Sequence, residues 1–237
     1  MKKYVYYLLL WQILVACGAD SQALLDKART LMQQEKYEEA LQFLNKSIEK
    51  NAQNAEAFNA RGVALFELGK YNDAILDYTQ AIQIAPDNYK AYFNRAELQK
   101  RLKEYEKALA DYEKAIKLSP QIADLYLNRG VLLFELKKIE EAKKDFQKSI
   151  ALNPQNKNAF FNLANLYFME NTEKSTLLAK ENFEKVIALD AKFLKAHLNL
   201  AKVLIVLDEK ESACKSLAEA EKLGSQEAKE LKESICK

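Results

Sequence analysis

His197 and the cysteines Cys17, Cys214 and Cys236 are the residues of this 237-residue chain best suited to covalent or metal chemistry. A nucleophilic thiol needs a base beside it, and a structural metal needs ligands at short, repeated spacings. Neither pattern is present. The single histidine stands apart from any paired ligand motif, and five glycines leave little material for a phosphate-cradling loop. The carboxylates are scattered among lysines along helix-like stretches, the arrangement of a solvated face. No catalytic residue, cofactor or metal is therefore expected.

Charge is no guide to an anionic partner either. The formal net charge is +2, and Lys2 and Lys3 are two of the 36 basic residues, so without them 34 face 34 acidic ones. A basic field for nucleic acid is absent. Scarce Gly and Pro, with 49% hydrophobic and 30% charged residues, favour an all-helical chain.

Cys17 has a different context. Lys2-Lys3 precedes an apolar run from Tyr4 to Ala16, interrupted only by Gln12, which ends in Leu14-Val15-Ala16-Cys17. The run is too short to span a bilayer comfortably and suits the hydrophobic part of a signal peptide. The last four residues resemble the lipobox of bacterial lipoproteins. That resemblance implies a signal peptide over 1–16, diacylglycerol on the Cys17 thiol, a short tether over 17–20 and attachment to the cell envelope. Gly18 in place of an acidic residue points to the outer membrane. Cleavage after Gly18 with plain secretion, and a retained segment, are the alternatives.

The rest of the chain repeats. Pro86, Pro120 and Pro154 are 34 residues apart, and Ala40, Ala74, Ala108 and Ala142 keep the same period. Leu44, Tyr78, Tyr112 and Phe146 do so too, as do the small residues Ala28, Gly62, Ala96 and Gly130. With a three-residue insertion the register continues through Ala164, Ala179, Phe183, Ala201, Ala213 and Leu217. Each unit reads as two amphipathic helices ended by proline. The pattern resembles the tetratricopeptide repeat. It implies a right-handed α-solenoid of six repeats (21–54, 55–88, 89–122, 123–156, 157–193 and 194–224) and a capping helix over 225–237, with proteins or extended peptides as partners. The insertion, within "MENTEKSTLLAK", is expected to lengthen the turn inside the fifth repeat.

Two ladders stand out against this register. Arg61, Arg95 and Arg129 share one position, and the same three repeats carry Asp77, Asp111 and Asp145; folding each repeat at its turn sets them level as structural ion pairs. Pairing with the next repeat, or a binding role, is the alternative. The second ladder is Asn94, Asn128, Asn162 and Asn199, flanked by Phe93, Leu127, Phe161 and Leu198. In related solenoids this position faces the groove, so these eight residues are the candidate peptide-binding surface; inter-repeat packing of the apolar four is the alternative. The carboxylate-clamp pattern of the family is not met: Asn162 and Lys195 fit, but Leu127, Val131 and Asn199 stand where other groups are required. His197 falls in the bulky packing slot.

The midpoint of Cys214 and Cys236 lies beside Gly224, so an antiparallel hairpin turning there brings both thiols to one height and permits a disulfide. An envelope-anchored scaffold or assembly factor is the function these features suggest. A cytosolic adaptor or an accessory subunit of an envelope enzyme is the alternative.

Overall fold

A computed structural model describes residues 19–237, which form helices and no strand. Cys17 and the segment before it lie outside the described residues. The first helix, α1, covers 19–33. It is followed by α2 (Tyr37–Lys50), α3 (Ala55–Glu67), α4 (Tyr71–Ile84), α5 (Tyr89–Arg101) and α6 (Tyr105–Leu118) in a first compact unit. A second unit holds α7 (Ala123–Glu135), α8 (Ile139–Leu152), α9 (Lys157–Glu170), α10 (Glu173–Leu189), α11 (Leu194–Val206), α12 (Lys210–Lys222) and α13 (Gln226–Ile235). Residues 19 and 20, expected in a tether, are already helical. Ala19 is a strong helix former, and neither Gly nor Pro interrupts 19–33.

Within each unit, odd- and even-numbered helices pair as helix–turn–helix repeats, and successive repeats stack: the fold is a tetratricopeptide-type helical solenoid. The periodic alanines are completely buried, and Tyr78, Tyr112, Phe146 and Phe183 fill the space between paired helices. The rings press hard on the first helix. A β-carbon on Gly62 would sit 2.6 Å from the Tyr78 ring, and one on Gly130 would sit 2.7 Å from Phe146. Other repeats place Ala28, Ala96, Ala164 and Ala201 there, all fully buried, so a methyl group is the largest side chain this position holds.

The turn inside each repeat needs one residue with left-handed backbone. Glu35, Gly69, Lys103, Lys137, Asn171 and Asp208 supply it, with φ between 50° and 74°. Only one of the six is glycine, which is why these turns are inconspicuous in the sequence.

The insertion does not lengthen a loop. In the fifth repeat only Asn171 and Thr172 separate α9 from α10, whereas three residues separate α3 from α4. The extra residues lie in the helices: α10 has 17 residues where α4, α6 and α8 have 14, and α9 has 14 where α3, α5 and α7 have 13. Thr172 caps α10 by accepting from the Ser175 backbone, and the Ser175 hydroxyl accepts from the Thr172 backbone. That reciprocal cap lets α10 start one turn early.

Asparagine caps recur as well. Asn54, Asn88 and Asn156 accept from the backbone of Ala57, Lys90 and Ala159 at the starts of α3, α5 and α9. The Asn54 amide also donates to Ser21, whose hydroxyl bonds the Ser47 carbonyl, so one polar cluster joins α1, α2 and α3.

Candidate functional site

The arginine ladder is built from paired helices. Arg61 donates through Nε and Nη2 to Asp77 at 2.7 and 2.8 Å, Arg95 to Asp111 at 2.7 and 2.9 Å, and Arg129 to Asp145 at 2.7 Å for both bonds. All three aspartates are buried, and the arginine side chains are 19–25% exposed. Hydrogen bonding to Asp77 outweighs burial and holds the Arg61 guanidinium above its ordinary pKa; Asp111 does the same for Arg95. Two arginines also reach backwards: Arg61 Nη1 donates to Asn45 on α2 and Arg95 Nη1 to Thr79 on α4. Each therefore ties its own repeat to the preceding one, a bond that pairwise matching of charges in the sequence did not reveal.

The asparagine ladder divides. Asn94 donates to Asn59 at 2.9 Å, linking α5 to α3, and Asn199 donates to Asn165 at 2.8 Å, linking α11 to α9. Asn128 donates to the Asp124 carbonyl within its own helix. Asn162 is half-buried and has no side-chain hydrogen bond among the described residues. Its amide remains open to a ligand.

The apolar residues beside the ladder are largely engaged in packing. Phe161 lies against Phe183 and Phe193, with ring centroids 5.8 and 5.1 Å apart, and Phe93 lies 6.1 Å from Tyr112. Leu198 is 8% exposed and packs with Leu217, Ala220 and Ala228. It therefore belongs to the core beneath the capping helix and not to a groove surface. Leu127 is half-buried. His197 is 7% exposed, with Nε2 3.0 Å from the Ala191 carbonyl, a packing residue with its polar atom satisfied.

A cleft that sequence reasoning missed lies in the first unit. About 640 Å³ opens among Arg29 and Met32 of α1, Tyr37 of α2, Asn59 and Val63 of α3, and Lys90 of α5. These types are individually unremarked on polar helix faces. Met32, Tyr37, Ala60 and Val63 give the cleft its apolar side.

At the end of the second unit Cys214 and Cys236 form a disulfide, with Cα atoms 5.8 Å apart, joining α12 to the residue after α13. Among the described residues no group of His, Cys, Asp or Glu could hold a metal ion, and no helix is long and apolar enough to cross a membrane.

Comparisons with known proteins agree with this architecture. A tetratricopeptide repeat family model matches 55–88, 89–122 and 123–156, and a second TPR repeat model matches 28–69, so together they span more than half of the chain. A solved structure of Pseudomonas aeruginosa pilF is 21% identical, covering 92% of this chain and 99% of that one at a TM-score of 0.82. YrrB, described as a TPR protein with an unusual peptide-binding site, is 21% identical over 80% of this chain and 97% of its own, with a TM-score of 0.66. MamA from Desulfovibrio magneticus RS-1 is 21% identical, covers 73% of this chain and 97% of its own, and has a TM-score of 0.63. No match was found among curated proteins. Repeat spacing, helix pairing and these matches place the chain in the tetratricopeptide repeat family, whose members are scaffolds for protein interaction.

Proposed function

We propose that this protein is a lipid-anchored scaffold of the bacterial cell envelope that binds other proteins through the exposed faces of its odd-numbered helices. The observation that carries the anchoring is Leu14-Val15-Ala16-Cys17 behind Lys2-Lys3 and a short apolar run. The Cys214–Cys236 bond supports the same address, since structural disulfides persist in oxidising compartments. Binding is supported by the open Asn162 amide, the cleft in the first unit and the peptide site described for the similarly folded YrrB. The partner class is protein or extended peptide.

Labelling cells with a fatty-acid analogue tests the anchor. The wild type is expected to carry label and to fractionate with membranes, and Cys17→Ala to lose both. A Cys17→Ala variant that keeps its processed mass and membrane fractionation refutes the assignment. For binding, crosslinked partners captured from intact cells are expected to fall in the Asn128→Asp, Asn162→Asp double variant; undiminished capture with the fold intact moves the site elsewhere.

A further inference from the structure

Almost no chain separates Cys17 from the solenoid. Because α1 begins at Ala19, Gly18 alone stands between the helix and the cysteine that the anchoring reading places in lipid. Two peptide links reach about 7 Å, roughly the depth of one headgroup layer. The start of α1 is therefore held at the bilayer surface, and whatever lies level with it is held there too.

The loop joining the first two repeats lies level with it. Ser21, in the first turn of α1, donates to the Ser47 carbonyl at 2.9 Å, and the Asn54 amide donates to Ser21 at 3.0 Å. Residues 51–54 are thus fixed beside that turn, with Ala52 and Gln53 exposed. The Asn51 side chain accepts from the Gln53 backbone at 3.0 Å and stiffens the loop. One repeat on, α5 runs beside α3 in the same direction, tied to it by the Asn94–Asn59 bond. The loop over 85–88, ended by the Asn88 cap, therefore emerges on the same edge, with Pro86 and Asp87 exposed.

This edge differs in charge from the opposite one. Across 51–54 and 85–88 the one charged residue is Asp87, whereas the turns at 34–36, 68–70 and 102–104 carry Glu35, Lys36, Lys70, Lys103 and Glu104. An uncharged loop approaches a bilayer without repulsion from anionic lipid and without stripping water from a charge. The sides of the unit offer no rival contact. A helix lying in the interface needs an apolar stripe, and among the described residues of this unit only Leu76 and Leu102 are large, apolar and exposed.

We propose that the first unit stands on the membrane by the edge formed by residues 51–54 and 85–88, with α1 rising from the lipid headgroups. At 1.5 Å per residue α1 rises about 22 Å, which sets the charged turns about 20 Å further from the bilayer. The partner of this edge is the headgroup layer itself. The proposal rests on the anchoring reading above.

The test uses the full mature chain with its lipid, floated on vesicles of phosphatidylethanolamine and phosphatidylglycerol whose headgroups carry a nitroxide quencher. A fluorophore is attached at Gln53→Cys, Asp87→Cys, Gln34→Cys or Lys70→Cys, one at a time, without reductant so that Cys214–Cys236 stays closed. Quenching at 53 and 87 is expected to be at least threefold stronger than at 34 and 70. Inserting about twelve Gly and Ser residues after Gly18 adds a link spanning about 20 Å. That variant is expected to float as before, with quenching at 53 and 87 reduced to the level of the other two positions. Equal quenching at all four positions, stronger quenching at 34 and 70, or quenching at 53 and 87 that survives the insertion overturns the proposal. A chain that floats without a preferred edge keeps the anchoring reading and loses this one. A wild type that carries no lipid and does not float overturns both.

Discussion

Removing one partner from an Arg–Asp pair should cost more than removing both. In the second repeat, Arg61→Leu strands the Asp77 carboxylate, whose side chain is 7% exposed, and takes away two charge-assisted hydrogen bonds. Such bonds contribute about 1.5–3 kcal/mol each, and an unpaired buried charge is worse still, so a loss of about 3 kcal/mol is expected. Asp77→Leu strands Arg61 instead. That side chain is 25% exposed and keeps its bond to Asn45, so part of its charge returns to water and the loss is about 2 kcal/mol. The double leucine variant leaves no charge unpaired and is expected to lose only about 1–2 kcal/mol, giving a coupling energy of about 3–4 kcal/mol. Urea unfolding of the four proteins measures the coupling. Amide exchange across α3 and α4 is the better second probe, because a repeat array need not unfold in one step. Because the aspartate is buried, most of the coupling should survive 1 M salt. Single variants within about 0.5 kcal/mol of wild type, or a coupling below that value, would refute the assignment of the pair to stability.

Two further outcomes are expected. Reducing Cys214–Cys236 should destabilise the last hairpin by about 3 kcal/mol, the loop-closure value for a bridge of this span, and amides after Glu211 should exchange faster while those of α7 do not change. At the left-handed turns Lys137→Gly should raise stability by up to about 1 kcal/mol and Gly69→Ala lower it by about 1 kcal/mol, read from urea midpoints; nothing lies within 4 Å of a β-carbon at Gly69, so backbone strain alone is measured.

Internal repetition explains why so much of the fold was legible in one sequence. Six copies of a unit act as their own alignment, so Gly62 and Tyr78, or Arg61 and Asp77, appear as matched columns and their contacts follow from folding each repeat at its turn. The insertion shows the limit. Counting residues locates three extra positions, but deciding between a longer loop and a longer helix required the cap at Thr172, which involves a serine side chain three residues on. The groove was partly legible for a related reason. A column of Phe and Leu beside the asparagines looks the same whether it packs inward or faces a ligand, and Phe161 and Leu198 pack inward because neighbouring helices supply Phe193 and Ala228 to meet them.

The early start of α10 has a consequence for how this scaffold can change length. A helix winds about 3.6 residues per turn, so three or four residues added at its capped end return the following side chains nearly to their former direction, and Ala179 and Phe183 still meet the core. One or two added residues would rotate that face by 100° or 200° and point the same side chains at water. The edge that carries Thr172 thus accepts growth in whole turns, and each turn moves Asn171 and its neighbours about 5.4 Å further out without disturbing the repeats on either side.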